Sequence, residues 1–429
     1  MNKKISIGAT VALIIISIAL TISVTMVVAM RVFNSSLNDL NKRQVMYSYI
    51  EKVDGAVRQN YFGSIDEETL RAALAQGYMD GIEDPHAAYL SATQYKAQMK
   101  TNAGQSTGFG LEIMESTNGQ IVVSAVHKNS AADRAGLQKG DVIASTDGAQ
   151  EKESLASIRQ KLNTAEKILV SFTRGNETKA VNLSANDFTL VSAEGRMIDT
   201  FAYIRIRAFH DNTMEQFKKV YTSLEAENPS GYIFDLRDNT GGSVEAAKEM
   251  IAYLMPRGTF ATLTDKDQKT RNLSAEDTYQ MEAPSVTLVN SRTEGEAELF
   301  AGVLQEFGKT TVIGVKTAGR SLVQAYYPIS TNGSAVKLSV SALSLVRGGA
   351  WEGTGIKPDK IVSLPSDKEA RLLLLSDAED SQLQAAIAAL QGGTANTTGT
   401  TAATTAETTV QTNESSTSSA PSGITTASK

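Results

Sequence analysis

The chain has no cysteine, and that absence removes disulfides, thiolate metal sites and cysteine nucleophiles together. Histidine is scarce as well: His86, His127 and His210 are the whole complement, and none stands in a metal-ligand spacing such as HExxH. No metal site and no cofactor are therefore expected. Nor is there an excess of positive charge. With 47 acidic against 41 basic residues and a formal charge of −6, the chain lacks the electrostatic footprint of a nucleic-acid binder. A P-loop reading of Gly308-Lys-Thr310 fails too, because its first glycine would fall on Val303, and Gly302 is one residue early. What is present is 41% hydrophobic content over 429 residues, enough for two or three domains with a real core in at least part of the chain. No internal repeat is visible.

From Ile5 to Met30 the chain carries no charge and is dominated by Ile, Val, Ala and Leu, long enough to cross a bilayer as a helix. Lys3 and Lys4 precede it, so the positive-inside rule keeps the amino terminus cytoplasmic and everything after Arg31 outside. A cleaved signal peptide is the alternative, with Val27-Val28-Ala29 as a small-residue cleavage site, but the apolar run exceeds a usual h-region. The expectation is a single-pass anchor in the cell membrane. At the other end, residues 392–429 are almost all Thr, Ser, Ala and Gly, too poor in large side chains to pack, and are expected to be a disordered tail.

Between these ends the pattern changes three times. Met46, Ile50, Val53 and Val57 recur at helical spacing, and Ser64-Ile-Asp-Glu67 reads as a capping box opening a helix through Leu70, Leu74 and Tyr78. Residues 40–100 are thus expected to be helical, followed by a small, polar linker at Thr101 to Thr107. From Gly108 to about Leu190, the runs Leu111–Ile113, Ile121–Val126, Asp141–Ile143 and Ile168–Phe172 read as strands broken by Asn118-Gly119, Asp147-Gly148 and Gly175-Asn176, with one helix at Ser154 to Leu162. This is a small β-rich module. From Ala202 onward, strands at 203–206, 231–235 and 286–289 alternate with helices around 212–226, 243–254 and 295–307, the pattern of an α/β core.

Two motifs suggest chemistry. Gly108-Phe109-Gly110-Leu111 enters a strand, and such a turn can aim successive N–H groups at a peptide carboxylate. It is followed by Ser130-Ala-Ala-Asp-Arg-Ala-Gly-Leu-Gln-Lys-Gly-Asp-Val-Ile143, which resembles the PDZ signature of an Ala-Gly-Leu helix end, a Gly-Asp turn and an apolar strand. In Asp235-Leu-Arg-Asp-Asn-Thr-Gly-Gly242 a strand runs into Gly241 and Gly242, whose N–H groups could face a substrate or an oxyanion. As an isolated string it could equally be an ordinary strand-to-helix turn.

In combination these segments, together with Asp84-Pro-His-Ala-Ala-Tyr-Leu90, Tyr203–Ile206, Ala301-Gly-Val-Leu304, Thr317 to Gln324 and Gly355-Ile-Lys-Pro-Asp359, come in the order found in carboxy-terminal processing proteases. From about residue 45 to 366 the chain resembles that serine peptidase family. The resemblance implies an α/β core of the tail-specific protease type with an inserted β-rich PDZ domain, to which the residue patterns above add an N-terminal helical region and a membrane-anchor helix. The corresponding boundaries are 1–32 for the cytoplasmic stub and anchor, 33–100 for the helical region, 101–188 for the PDZ domain, 189–366 for the core, 367–391 for a C-terminal helix and 392–429 for the tail. It also implies a Ser-Lys dyad served by tails that the PDZ domain delivers. Residues 40–100 and 367–391 are the candidate contacts of a homodimer.

Carried across residue by residue, the dyad fails. Anchoring on Glu298 and Ala301-Gly302 places the family serine at Gly295, and anchoring on Thr317, Gly319 and Val323-Gln324 places its lysine at Arg320. Only Gln324, which supports the lysine in the family, is retained. Glycine has no hydroxyl, and a guanidinium with pKa above about 12 cannot serve as a neutral base. Glu294 and Glu296 flank Gly295 and are expected to pair with Arg320. A relocated dyad would have to draw on Ser291, Thr293 or Ser321 with Lys316. Three readings follow: a membrane-anchored pseudoprotease that binds extracytoplasmic C-terminal tails, an active tail-specific endopeptidase with displaced catalytic residues, and a scaffold whose PDZ groove is closed.

Overall fold

Two units, dividing after Gly77, make up the computed structural model, which describes residues 7–276 and 280–393. In the first unit the apolar run and the expected helix after it form one continuous helix α1 (Ile7–Asn60), with no proline to end it. Its segment Thr10–Asn34 is 25 residues long and apolar enough to cross a membrane, and large side chains such as Leu13, Ile16 and Leu20 are exposed along it. The expected capping box at Ser64 does not form. Asp66 accepts the Thr69 N–H at 2.6 Å instead, and α2 (Glu67–Asp80) opens on Glu67 and Glu68, acidic residues where the helix dipole favours them. Lys3 and Lys4 lie outside the described residues.

The second unit begins with a departure from the helical expectation for 40–100. Ala88–Leu90 is strand β1, paired antiparallel with a strand some 250 residues later. Helix α3 (Ala92–Asn102) follows, capped at Ser91 and Gln94 in a capping box. The stretch expected as linker is divided among the end of α3, a turn and the start of strand β2 (Gln105–Gly108).

The β-rich module is a five-stranded antiparallel sheet of β3 (Leu111–Glu115), β4 (Ile121–Val126), β5 (Val142–Thr146), β6 (Lys167–Arg174) and β7 (Glu177–Ser184), in that order. A one-turn helix α4 (Ala131–Arg134) and helix α5 (Leu155–Thr164) accompany it. Ser154 caps α5 by accepting the Ser157 N–H at 3.1 Å. Its core joins Ile113, Val123, Ile143, Phe172 and Leu183 to Ile158 of α5. Strand β3 is the sheet edge, with no strand on its outer side among the described residues. β8 (Asn186–Thr189) leaves the module by pairing with β2.

The core is built on a six-stranded sheet. Its strands are β9 (Ala193–Ile198), β10 (Phe201–Ile206), β11 (Gly231–Asp235), β14 (Ser285–Val289), β15 (Thr311–Gly314) and β18 (Lys360–Ile361), side by side in that order and parallel except for β9. Both faces are buried, as a parallel sheet requires. Ile204, Tyr232 and Phe234 face helices α6 (Thr213–Glu225), α7 (Val244–Leu254) and α8 (Glu296–Glu306), while Ile233, Val286 and Ile313 face α10 (Ser381–Gly393). A second sheet joins β12 (Gly258–Asp265), β13 (Thr270–Ala275), β16 (Leu322–Pro328) and β17 (Ala335–Leu345) to β1. The expected helix at 367–391 is divided into α9 (Ser366–Glu369), a 3-10 turn at Leu372–Leu374 and α10. Of the expected tail, Gly392 and Gly393 close α10, and residues 394–429 lie outside the described residues.

Candidate functional site

Three neighbouring parallel strands, β11, β14 and β15, end at Asp235, Val289 and Gly314, and the carboxyl ends of such strands are where an α/β sheet builds its sites. The loops that follow carry Gly241-Gly242, Gly295 and Arg320. They meet around a cavity of about 370 Å³ that also takes in His86, His210, Tyr326 and Lys337.

The floor beneath these loops is a buried ion network. Asp235 is fully buried and accepts from Arg237 at 2.7 and 2.9 Å, from Tyr203 at 2.6 Å and from Arg205 at 3.3 Å. Burial alone would raise its pKa, but Arg237 and Arg205 outweigh it and hold the carboxyl well below the usual range. Arg237 also donates to Asp380 at 2.9 Å and Gln382 at 3.0 Å. Sequence reasoning took Asp235 to Gly242 only as a glycine turn, and the charges anchoring that turn went unread.

Gly295 stands at the N-cap of α8 with φ 57° and ψ −117°, a backbone geometry that favours glycine. There is room for a Cβ, whose nearest neighbours would be the Arg320 carbonyl and Gly241 Cα, each at 3.9 Å. Its N–H is held by Glu298 Oε2 at 3.0 Å. The same carboxylate accepts Arg320 N–H at 2.8 Å, Gly319 N–H at 2.7 Å and the Thr317 hydroxyl. Glu298 thereby ties the start of α8 to the Thr317–Arg320 loop, although burial pushes its pKa up.

Arg320 turns its guanidinium to Glu294, Nη1 to Oε2 at 2.8 Å. The expected pairing with Glu296 is absent: that side chain points the other way. Its Oε2 accepts the Gly242 N–H at 2.7 Å and would lie 2.4 Å from a Cβ placed on Gly241. The Gly241 N–H is itself held by Asn239 Oδ1 at 2.9 Å. This corrects the expectation that Gly241 and Gly242 present free donors, since a buried carboxylate and a side-chain amide have taken both. Burial drives the Glu296 pKa upward.

Gln324 donates to the Leu322 carbonyl at 2.6 Å, and the Arg320 guanidinium donates to Glu294 instead of to the Gln324 amide oxygen. Two of the three candidate substitute hydroxyls are engaged elsewhere: Thr293 donates to Leu236 O at 2.9 Å and Ser321 to Glu352 at 3.0 Å. No hydroxyl of Ser291, Thr293 or Ser321 is hydrogen-bonded to a lysine among the described residues.

At the edge of the β-rich module the Gly108–Leu111 turn has φ 150° at Gly108 and 68° at Gly110. The carbonyls of Phe109 and Gly110 accept from Ala132 at 3.0 Å and His127 at 2.9 Å, while their N–H groups have no partner among the described residues. A second cavity, about 390 Å³, runs along β3 and is bordered by Leu111, Ile113, Arg159 and Leu162, with Leu373 of the 3-10 turn at its rim. On the same strand Glu112 is bound to Arg207 of the core and to His127 at 3.0 Å. Burial would raise its pKa, yet His127 and Arg207 bring it down to about 2.

Comparison with known proteins places these features. Residues 200–362 match the model for peptidase family S41, and residues 107–185 match a PDZ domain. A Staphylococcus aureus protein described as a probable CtpA-like serine protease is 28% identical over 361 residues, covering 82% of this chain and 72% of its own. A carboxyl-terminal-processing protease of Synechocystis sp. is 27% identical over 325 residues, covering 73% of this chain and 75% of its own. The crystal structure of a Bacteroides fragilis protein assigned to the S41 proteases superimposes with a TM-score of 0.56 at 17% identity, over 78% of this chain and 91% of the other.

Proposed function

The chain belongs to the carboxy-terminal processing peptidases of family S41 that carry a PDZ domain, and from that membership we propose that it captures C-terminal tails without cleaving them. The observation that carries this reading is the filling of the catalytic corner by the chain itself. Where the family has a serine there is Gly295, and where it has a lysine there is Arg320, paired with Glu294 at 2.8 Å. Acyl transfer also needs donors aimed at the developing oxyanion. Here the N–H groups of Gly241, Gly242 and Gly295 are held by Asn239, Glu296 and Glu298. Gly295 offers no nucleophile, Arg320 no neutral base, and these three glycine N–H groups no open donor.

Tail capture rests on the other end of the molecule. The Phe109 and Gly110 N–H groups without partners and the open edge of β3 suit a peptide that adds a strand and ends in a carboxylate. Residues 10–34 supply the membrane anchor in this reading, with the remainder on the extracytoplasmic side. The PDZ domain occupies 101–188 and the inactive core 189–366.

The test uses the full chain in detergent micelles with labelled peptides ending in an apolar residue, as free acids and as C-terminal amides. Binding is read by fluorescence polarisation and hydrolysis by mass spectrometry. The free acid should bind, the amide should bind at least tenfold more weakly, and neither should be cut. Hydrolysis would establish a displaced catalytic set instead. Equal or absent binding of the two would mean a closed groove and a scaffold.

A further inference from the structure

We propose that the groove selects tails whose third-from-last residue is aspartate or glutamate, with Arg159 as the residue that reads it. This rests on the tail-capture reading above.

The ladder fixes which backbone groups a ligand meets. Val123 spends its N–H and C=O on the β5 side, with Asp141 O at 2.8 Å and Gly140 N at 2.9 Å. Its partner across β3 is Ile113, so the alternation of an antiparallel ladder turns the Ile113 N–H and C=O to the open edge. The bond from His127 N–H to Gly110 O does the same for Leu111, one pair along. A tail held by its carboxylate at Phe109 and Gly110 therefore pairs its last residue with Leu111 and its third-from-last with Ile113.

Arg159 already occupies that second position. From α5, on the opposite wall of the groove, its Nη2 donates to the Ile113 carbonyl at 3.0 Å. The guanidinium makes no ion pair among the described residues. Opposed residues in an antiparallel pair share a face, and Ile113 points into the core that contains Ile158 of α5. The side chain of the third-from-last residue thus projects toward α5. As the tail docks, its own N–H takes over the Ile113 carbonyl and leaves Arg159 beside that side chain. A carboxylate there converts a bond to a neutral carbonyl into a charge-assisted pair, a lysine is repelled, and a charge one residue later faces away.

The experiment compares three fluorescein-labelled octapeptides ending in leucine, with aspartate third from last, asparagine third from last, or aspartate second from last, on the full chain in detergent micelles at low salt. The first should bind about fivefold tighter than the other two, as fits a partly exposed pair. Arg159→Gln, which can still donate to Ile113, should bind the first two equally and the asparagine peptide as well as the unaltered chain does. Equal affinities on the unaltered chain, the same gain from aspartate second from last, or a preference that survives in Arg159→Gln would each overturn the assignment while leaving tail capture standing. Free-acid and amidated forms binding alike would remove tail capture, and this inference with it.

Discussion

The carboxylate of Glu296 holds the N–H of Gly242 at 2.7 Å, so the corner of the cleft that would cradle an oxyanion already contains an anion. In the proposed reading, the residues at Gly295 and Arg320 are therefore only part of what blocks cleavage. Gly295→Ser with Arg320→Lys restores a hydroxyl and an amine, but it leaves that corner filled, and a missing oxyanion donor costs about 10² to 10³ in rate. The double variant should show no cleavage by mass spectrometry. Adding Glu296→Ala should bring cleavage into range. Activity in the double variant alone would show that Glu296 yields to substrate.

Glu296 also predicts a pH dependence of stability. Burial raises its folded pKa above the ordinary carboxylate value, so its contribution is most favourable when protonated. It is fully present below the unfolded pKa and is lost as pH rises through the folded value. Glu296→Gln removes the buried charge. The melting temperature should rise by a few degrees at pH 8 and remain unchanged at pH 4, read by thermal denaturation of the full chain in micelles.

The ion network under the glycine turn makes the opposite prediction. Arg237 is only 1% exposed and bonds Asp235, Asp380 and Gln382. Arg237→Ala leaves Asp380 buried without a cation and Asp235 with Arg205 as its remaining one, which costs about 3 to 5 kcal/mol. Since Arg237 and Arg205 hold the Asp235 pKa below its ordinary value, the stability this network gives is present above the unfolded pKa and lost as pH falls through the folded one. Urea midpoints of the unaltered chain and of Arg237→Ala should converge in acid.

Much of this architecture is legible in the residues, and the exceptions share a cause. Anchors such as Glu298 and Thr317 set the register that singles out Gly295 and Arg320, and the structure shows these segments joined: Glu298 physically binds Gly295, Thr317, Gly319 and Arg320. Periodicity places α6, α7 and α8 within a residue or two. The turn of Glu296 into the glycine loop is not legible, because an acidic residue in the first turn of a helix is ordinarily a solvated charge favoured by the dipole. Strand β1 is missed because its identity comes from β17, far away in sequence, and local propensity does not report such a partner. Ser64 and Asp66 compete for one cap, and both residue types suit it.

The contact between Glu112 and Arg207 predicts how the PDZ domain is held to the core. Glu112 lies on β3, the strand proposed to receive the tail, and Arg207 follows β10 and also reaches Glu194 at 3.5 Å. The Glu112 pKa is lowered to about 2, so this tie contributes above the unfolded carboxylate pKa and is lost as pH falls toward 2. Arg207→Ala, Glu112→Gln and the double variant form a cycle in which each single change should loosen the contact and the double should be little worse than either. The coupling should be about 0.5 to 3 kcal/mol. Hydrogen exchange is the direct readout: amides of β3 and β4 should exchange faster in each variant at pH 7, and the difference from the unaltered chain should shrink at pH 3. Strict additivity, or unchanged exchange in Arg207→Ala, would show that the domain is held to the core by its other contacts, such as the Val191 N–H with His127 Nδ1.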